Sequence, residues 1–375
     1  MSLSPDDLTP LRVNDSADVR PESPREVKRR RMVWISGLLL AAALLAGVVF
    51  PVSYVAEHPG PTVNTIGDVD LGEGEEPVLS IEGTETYPVD GALDMTTVSV
   101  QGPPTGATFA IDVLFGWMFP HVSLTPSATV YPSNVSSSEV QETNTVAMNT
   151  SQSWAMAAAL EYLEIDYTQH LFVHDFAEGA EATDLLRRGD QVIAANGHPI
   201  TGLQGLKDAV DDSAPEPVTL TIERDGEQHK IDVPVTEAED GSYQIGIYLD
   251  SEFDFPYDFE VSLGDVGGAS AGMMFALGII EKLTEENLVD GDHIAGTGTI
   301  DPDGTVGPIG GILQKVYGAQ RSGATVFLAP EANCPELDDK VPDGITVYSV
   351  SSLEQAVEIV KSHDTPEAEN VTTCG

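Results

Sequence analysis

The sequence predicts a mixed fold, of the α+β or α/β class, preceded by one N-terminal transmembrane helix. The run 32–55 contains no Asp, Glu, Lys or Arg and is about long enough to span a bilayer. The stretch 325–361 alternates strand-like and helix-like patterns, which is typical of layered α/β packing. The pair Asn196-Gly197 separates two strand-like runs and predicts a tight turn. With 375 residues, the chain has room for two or three domains.

The composition limits the partners of this chain. It carries 17 Lys and Arg against 61 Asp and Glu, a formal net charge of -44. A surface this acidic repels nucleic acid, so we expect no nucleic-acid partner. The sequence contains no Gly-x-x-x-x-Gly-Lys-Ser/Thr motif, so we expect that ATP is not a partner of this chain. The 8 histidines are scattered without ligand spacing, so we expect no metal and no other cofactor.

The N-terminal region predicts a membrane-anchored protein. Residues 1–31 are polar and end in a basic cluster, 28–31, and we expect a disordered cytoplasmic tail. No Lys or Arg follows until Arg187, which places the N-terminus in the cytoplasm and the globular part outside. The expected location is therefore the cell membrane, with a single pass over 32–55. The alternative is a cleaved secretory signal, although no clear cleavage site follows the apolar run.

Residues 56–165 carry no chemistry that the sequence identifies. This extracytoplasmic region is rich in Thr, Ser and Pro. The segment 96–100 reads as a strand, and 151–163 reads as a helix with Ser151 as a plausible N-cap.

Residues 166–237 have the pattern of a compact unit. A helix at 205–212 and two later strands follow the turn at Asn196-Gly197. Residues 186–197 resemble the PDZ marker L-x-x-GD-x-I/V-x-x-x-NG. The resemblance implies a small, PDZ-like β-rich domain that binds extended peptides by strand addition, with a groove loop near 170–173. The alternative interpretation is a structural spacer or docking module.

The stretch 264–315 carries the candidate catalytic chemistry. A turn of small residues, 267–269, leads to Ser270 and then to an apolar helix, so the hydroxyl would be exposed beside backbone N–H groups. The oxyanion donors would be the backbone N–H groups of Gly268, Ala269 and Ser270. Serine needs a base at neutral pH, and Lys315 follows on a second helix. An apolar setting would lower the pKa of Lys315 and leave its amine neutral.

Three blocks in this stretch resemble the proteolytic domain of Lon-type serine peptidases, which use a Ser-Lys dyad. The blocks are Ser270-Ala271-Gly272, Thr297-Gly298-Thr299-Ile300 and Pro308-Ile309-Gly310-Gly311-Ile312-Leu313-Gln314-Lys315. The resemblance implies a Lon-type proteolytic domain over 241–363, with Ser270 as nucleophile, Lys315 as general base and Thr297 as a supporting residue. It also implies that part of 56–165 supplies the first strands of this domain, and that homo-oligomers could form. Residues 267–269 are Gly-Gly-Ala where the family usually has Asp-Gly-Pro.

Together these features predict an ATP-independent, membrane-anchored serine endopeptidase that cleaves extracytoplasmic polypeptides, with a PDZ-like domain for peptide binding. One alternative is an inactive PDZ scaffold or adaptor at the membrane. Ser270 would then be a packing serine at a helix start, Lys315 a snorkelling surface lysine and Thr297 an ordinary strand threonine. Another is an α/β-hydrolase, because 268–272 matches the G-x-S-x-G elbow. Asp343 and His363 would then complete the triad.

The two cysteines of the chain, Cys334 and Cys374, form a disulfide candidate. Both would lie outside the membrane, where an oxidising compartment permits the bond. A bridge would tie the C-terminal tail, 364–375, to the loop after a predicted strand. The alternative is two free thiols.

Overall fold

The computed structural model describes residues 24–72, 74–119, 121–131, 135–238, 241–264, 266–365 and 371–375. The helices are α1 (Pro24–Val49), α2 (Ala110–Gly116), α3 (Ser127–Val130), α4 (Ser137–Tyr162), α5 (Leu203–Ser213), α6 (Gly272–Leu283), α7 (Ile312–Ser322) and α8 (Leu353–Ser362), with 3-10 turns at Glu181–Asp184 and Glu331–Glu336. The strands are β1 (Pro51–Val52), β2 (Tyr54–Asn64), β3 (Asp68–Asp70), β4 (Glu75–Pro77), β5 (Leu79–Glu82), β6 (Ala92–Gln101), β7 (Thr108–Phe109), β8 (Ser123–Pro126), β9 (Thr168–Phe176), β10 (Gln191–Ala195), β11 (His198–Pro199), β12 (Val218–Arg224), β13 (Glu227–Val233), β14 (Thr236–Glu237), β15 (Tyr243–Gln244), β16 (Ile247–Asp254), β17 (Asp258–Val261), β18 (His293–Gly296), β19 (Thr299–Ile300), β20 (Val306–Gly307), β21 (Val326–Pro330) and β22 (Thr346–Val350).

The first helix, α1, is long and apolar enough over Val27–Val49 to cross a membrane. It ends before residue 55, the predicted limit of the span. Pro51 cannot donate a helical hydrogen bond, and Val55 is fully buried in the globular part. The charge-free run therefore divides into a helix and the start of the sheet.

The predicted disordered tail, 1–31, differs from the structure at its end. Residues 24–31 belong to α1, because basic side chains are good helix formers and extend the apolar helix. Residues 1–23 lie outside the described residues.

The larger sheet has the strand order β22-β21-β18-β6-β2-β8. Its first four strands run parallel, whereas β2 runs antiparallel to both β6 and β8. Residue Ala295 of β18 lies opposite Asp94 of β6. The sheet therefore joins the region 56–165 to the last third of the chain in one layer.

Helices cover both faces of the larger sheet. Successive side chains on a strand point to opposite faces, and in β21 Leu328 packs with α6 whereas Phe327 and Ala329 pack with α7. Helix α6 is buried over almost its whole length, which agrees with its apolar sequence. Helix α6, which follows Ser270, and helix α7, which carries Lys315, thus lie on opposite sides of the sheet.

A second, smaller β-rich unit has its own core. Its strand order is β13-β12-β10-β9-β16, with β11 beside β10, and all its pairs are antiparallel. Its core includes Leu171, Val192 and Ile222. The structure thus confirms a mixed fold with a small β-rich unit.

The sequence predicts that the small unit ends at residue 237. In the structure the unit continues beyond this residue. Strand β16 pairs with β9, from Ile247 opposite Phe176 to Asp254 opposite Thr168. The unit therefore extends to Asp254, and a separate region cannot begin at 241. The reason is that β16, the last strand of the unit along the chain, pairs with β9, its first strand.

Helix α4 begins earlier than the sequence predicts. Ser136 is its N-cap and forms a capping box with Glu139, so the helix contains 137–150 as well as the predicted part. Ser151, the predicted N-cap, is an interior residue of α4 and is buried. Its hydroxyl is therefore free to serve another element.

Cys334 and Cys374 form a disulfide. Cys374 packs into the core on the α7 side of the sheet. Its N–H donates to the Val347 carbonyl at 2.9 Å, and Thr373 pairs with Tyr348. The end of the tail is therefore built into the sheet edge, and 366–370 lie outside the described residues.

We expect the Cys334→Ser/Cys374→Ser variant to unfold more easily than wild type. Loss of a cross-link between residues 40 apart should lower the free energy of unfolding by on the order of 2 kcal/mol. Thermal unfolding should show this as a lower Tm, and wild type in reductant should match the variant. Equal Tm values for oxidised wild type and the variant would contradict the prediction.

Candidate active site

Ser270, Lys315 and Thr297 meet in one hydrogen-bonded cluster. The Lys315 Nζ lies 2.6 Å from the Ser270 Oγ and 2.8 Å from the Thr297 Oγ1. The Thr297 hydroxyl donates to the Ser270 carbonyl oxygen at 2.8 Å. The structure therefore brings together all three side chains that the sequence selects.

The ends of three elements place these side chains. Ser270 precedes α6, Thr297 directly follows β18, and Lys315 lies in the first turn of α7. The Gly298 N–H donates to the Ser270 carbonyl at 2.9 Å and ties the serine turn to the end of β18. Gly311, the N-cap of α7, has a φ of 69°, a left-handed conformation that favours glycine. The chain can thus turn sharply and direct Lys315 across the sheet edge.

The surroundings of Lys315 favour an uncharged amine. The residue is 2% exposed. Burial disfavours the ammonium and lowers the pKa of Lys315 from 10.5 to about 7. Within the described part of the chain, no neighbouring charge contributes to this change. At neutral pH a large fraction of the amine therefore has a free electron pair beside the serine hydroxyl.

Helix α4 holds the turn that precedes Ser270. The Ser151 hydroxyl donates to the Ala269 carbonyl at 2.9 Å. The Gly268 N–H, which the sequence predicts as an oxyanion donor, donates to the Asn144 carbonyl at 3.0 Å instead. In the part of the chain that the structure describes, the N–H groups of Ala269 and Ser270 have no acceptor. Two of the three predicted oxyanion donors are therefore available, and Gly268 is not.

The sequence does not indicate Asn144 or Ser151 as residues of the site. Asn144 acts through its backbone carbonyl, which has no side-chain signature. Ser151 continues a buried face of small residues on α4, with Ala155 and Ala159 at helical spacing. That spacing is the one signal that could have indicated a close approach of α4 to the serine turn.

A cleft of about 580 Å³ opens beside the dyad. It is large enough for parts of a peptide, since ligand pockets are commonly ~300–1,000 Å³. Much of its lining is apolar, namely Met95, Val98, Val100, Val140 and Met148. Glu57 also lines it, and burial raises the pKa of that carboxyl. Among the described residues, no group of His, Cys, Asp or Glu could hold a metal ion.

The comparison with protein families identifies the stretch that carries the dyad. Residues 264–362 match the family described as Lon protease (S16) C-terminal proteolytic domain. This stretch is therefore similar to the proteolytic domain of Lon proteases. The match includes all three predicted blocks, and with them Ser270, Thr297 and Lys315.

Bacterial Lon proteases contain segments similar to part of this chain. Lon protease from Roseiflexus castenholzii is 35% identical over 105 residues, which are 28% of this chain and 13% of that protein. Lon protease 1 from Bacillus subtilis is 30% identical over 117 residues, or 29% and 15% of the two chains. Lon protease 1 from Sorangium cellulosum is 39% identical over 93 residues, or 24% and 11%. The chain therefore spans only a small part of the length of the curated relatives it matches.

A solved structure is similar to part of this chain. The PDZ domain of an SdrC-like protein from Listeria monocytogenes aligns with 21% of this chain and 85% of that chain. The sequence identity is 21% and the TM-score is 0.20.

The structure does not contain the triad of the alternative hydrolase interpretation. His363 pairs with Asp292, with 3.1 Å between Nε2 and Oδ2, rather than with Asp343. The group at the Ser270 hydroxyl is the Lys315 amine. His363 and Asp343 therefore lack the contacts that a Ser-His-Asp mechanism needs.

Neither free edge of the smaller unit lies where the sequence predicts its groove. Residues 170–173 lie within β9, which pairs with β10 on one side and β16 on the other. This segment has no free edge for a peptide strand. The edge strands of the unit are β13 and β16, and Gly246 immediately before β16 has a φ of 69°. The position of β16 could not be read from local patterns, because it depends on a long-range strand pairing.

We expect Thr297→Val to lower kcat about tenfold with little change in KM, because it removes one hydrogen bond from the Lys315 amine. The fully buried side chain keeps its shape in this variant. Thr297→Ser should restore most of the rate, because it restores the hydroxyl. Steady-state kinetics on a peptide substrate would measure both constants. An unchanged kcat in Thr297→Val would mean that Thr297 only packs.

Proposed function

We propose that this protein is an ATP-independent, membrane-anchored serine endopeptidase that hydrolyses extracytoplasmic polypeptides. The observation that carries the proposal is the 2.6 Å contact between the Ser270 Oγ and the buried Lys315 Nζ. A neutral amine beside a serine hydroxyl is a nucleophile with its base. The similarity to Lon proteases supports peptide-bond hydrolysis as the reaction. The lack of a P-loop motif in these 375 residues supports independence of ATP.

The reaction begins with proton transfer from Ser270 to Lys315. One N–H of the neutral amine donates to the Thr297 Oγ1, which directs the electron pair toward the serine. As the proton leaves, the Ser270 Oγ forms a bond to the scissile carbonyl carbon. The carbonyl oxygen becomes an oxyanion, which the N–H groups of Ala269 and Ser270 stabilise.

The second half of the reaction returns the proton. The Lys315 ammonium donates it to the departing amine while the C–N bond breaks, and an acyl-enzyme remains. The neutral amine then takes a proton from water, whose oxygen attacks the ester carbon. The Lys315 ammonium then donates this proton to the Ser270 Oγ while the bond between that oxygen and the acyl carbon breaks, which releases the carboxyl product and restores the serine hydroxyl and the neutral amine. Lys315 is base and acid in turn, so no other titrating group is required.

Three features support an anchored protein with an extracytoplasmic active site. Helix α1 has the length and composition of a membrane span. Basic residues cluster before its apolar part, 32–49, and are absent from there to Arg187, which favours a cytoplasmic N-terminus. The disulfide between Cys334 and Cys374 fits an oxidising compartment.

The smaller unit supports a role in peptide binding. One of its two edge strands, β16, leaves one row of backbone groups for strand addition. Only 255–269 separate this strand from Ser270 along the chain. A polypeptide held on β16 would therefore be tethered close to the dyad, which raises its local concentration there.

We expect the endopeptidase to prefer aliphatic over acidic side chains beside the scissile bond. The cleft offers apolar contact, and Glu57 repels carboxylates. Peptides that differ only at this position should differ in kcat/KM by about 10- to 100-fold. Mass-spectrometric profiling of a peptide library would measure the ratio. Faster cleavage beside Asp or Glu would contradict this use of the cleft.

Labelling with a fluorophosphonate probe tests the proposal as a whole. Wild type should be labelled and should cleave an unfolded polypeptide without ATP. Ser270→Ala should lose both properties, whereas Ser262→Ala, a matched serine in the neighbouring cleft, should keep both. Absence of labelling in folded wild-type protein would favour the inactive scaffold instead.

A further inference from the structure

A short segment around the end of α2 exposes large apolar side chains. Trp117 is 85% exposed, Met118 69%, Phe119 46% and Leu114 56%. In this acidic chain, the run 113–138 contains no Asp, Glu, Lys or Arg. Single exposed apolar residues are ordinary, but a contiguous group indicates an interaction surface. We call Leu114, Trp117, Met118 and Phe119 the apolar patch.

The apolar patch is attached closely to the end of α1. Only Phe50 separates α1 from β1, and β1 pairs with β7, the strand that runs directly into α2. Helix α2 also approaches α1 itself, since a Cβ on Gly47 would lie 3.8 Å from the Ile111 backbone nitrogen. In the part of α1 that lacks charges, only Ala46 and Gly47 are partly buried. No flexible linker therefore separates the apolar patch from the helix.

The length of α1 sets the depth of this contact. The charge-free part of the helix, 32–49, is about 27 Å long at ~1.5 Å per residue, close to the ~30 Å of a hydrocarbon core. If the basic residues 28–31 lie at one membrane–water interface, Gly47 lies in the last turn of α1 before the opposite interface. Because α2 contacts Gly47, α2 must lie at that second interface.

We propose that the apolar patch is a second membrane attachment, which lies in the outer interface of the bilayer that α1 spans. The proposal rests on the proposed span of α1. Trp and Phe favour the headgroup boundary, and Leu and Met supply apolar area below it. The net charge of -44 opposes contact with anionic lipids, and the charge-free run 113–138 removes that repulsion at the contact. Two attachments would fix the orientation of the catalytic domain on the membrane.

The carboxylate of α2 does not oppose this placement. Asp112 accepts the Phe109 N–H at 2.9 Å and thus caps the first turn of α2. The exposed side chains lie at the other end of the helix and after it. The Asp112 carboxylate therefore has its partner within the fold, and the apolar patch remains available to contact lipid.

Tryptophan fluorescence of the full chain in vesicles tests the proposal. The protein would carry Trp34→Phe, which removes the tryptophan of α1, and the vesicles would contain phosphatidylcholine brominated near the headgroup end of its acyl chains. We expect these lipids to quench part of the emission. The quenched part should disappear when Trp117→Phe is added, because Trp154 packs against the protein core. A matched control adds Tyr248→Trp on the smaller unit, an exposed position that should stay unquenched.

Flotation with the vesicles separates this proposal from the proposed span. A protein that floats and shows quenching dependent on Trp117 supports the apolar patch as an attachment. A protein that floats without such quenching overturns it and leaves the span intact. Blue-shifted Trp117 emission without lipid quenching, which grows with protein concentration, would instead assign the patch to a second copy of the chain and overturn the proposal. A protein that does not float refutes the span, and with it the attachment.

Discussion

Replacement of Lys315 by methionine should lower kcat about a thousandfold, within the ~10²–10⁴ that general acid–base groups commonly supply. The methionine side chain fills nearly the same buried space but cannot accept the Ser270 proton. The 2.6 Å contact on which the mechanism depends is then lost. Steady-state kinetics and fluorophosphonate labelling would measure the loss. Lys282→Met, at a half-buried lysine on α6, provides the matched control and should keep full activity.

The same variant should be more stable than wild type. Keeping a lysine buried and largely neutral costs folding free energy, since its pKa falls from 10.5 to about 7. Methionine removes this cost but loses the hydrogen bond to Thr297, so we expect a gain on the order of 2 kcal/mol. Denaturant unfolding would measure the gain at pH 7. An inactive but less stable Lys315→Met protein would indicate that the lysine has a structural role.

The elements with strong local signals agree between sequence and structure. The apolar run after Ser270 is α6, and Asn196 and Gly197 have φ values of 52° and 83°, which suit the predicted tight turn. Strand β16 and the first half of α4 were missed for different reasons. The place of β16 depends on a pairing with β9 that no local pattern encodes. The first half of α4 is polar and lacks an apolar stripe, although the capping box at Ser136 was a usable signal.

The candidate site divides in the same way. Ser270, Thr297 and Lys315 could be selected because each lies in a short block with a defined spacing. The lowered pKa of Lys315 could be expected from its apolar neighbours in the helix. The hydrogen bond that the Gly268 N–H donates could not be expected from the sequence, because its acceptor is a backbone carbonyl on α4. Side-chain chemistry is thus visible in the sequence, and backbone contacts between distant elements are not.

The activity should fall about tenfold for each pH unit below the pKa of Lys315, which is about 7. The neutral amine is the reactive form, and a proton bound at lower pH occupies the electron pair that must accept the Ser270 proton. Between pH 8 and pH 5, kcat/KM should therefore fall by roughly two orders of magnitude. A pH–rate profile on an uncharged peptide would measure the limb. The Glu57→Gln variant should show the fall in activity at the same pH as wild type, since Glu57 lines the cleft but is not the base.

The sign of the matching stability effect follows from proton binding. Between about pH 7 and pH 10.5 the unfolded chain protonates this lysine and the folded chain does not, so the stability of wild type should rise with pH across this window. Below the window both states are protonated, and the cost of the buried amine is constant. The advantage of Lys315→Met over wild type should accordingly be largest below about pH 7 and shrink as the pH rises toward about 10.5. Suppose that activity falls below pH 7 but the stability difference between Lys315→Met and wild type does not change with pH in this way. The group that titrates would then be one other than Lys315.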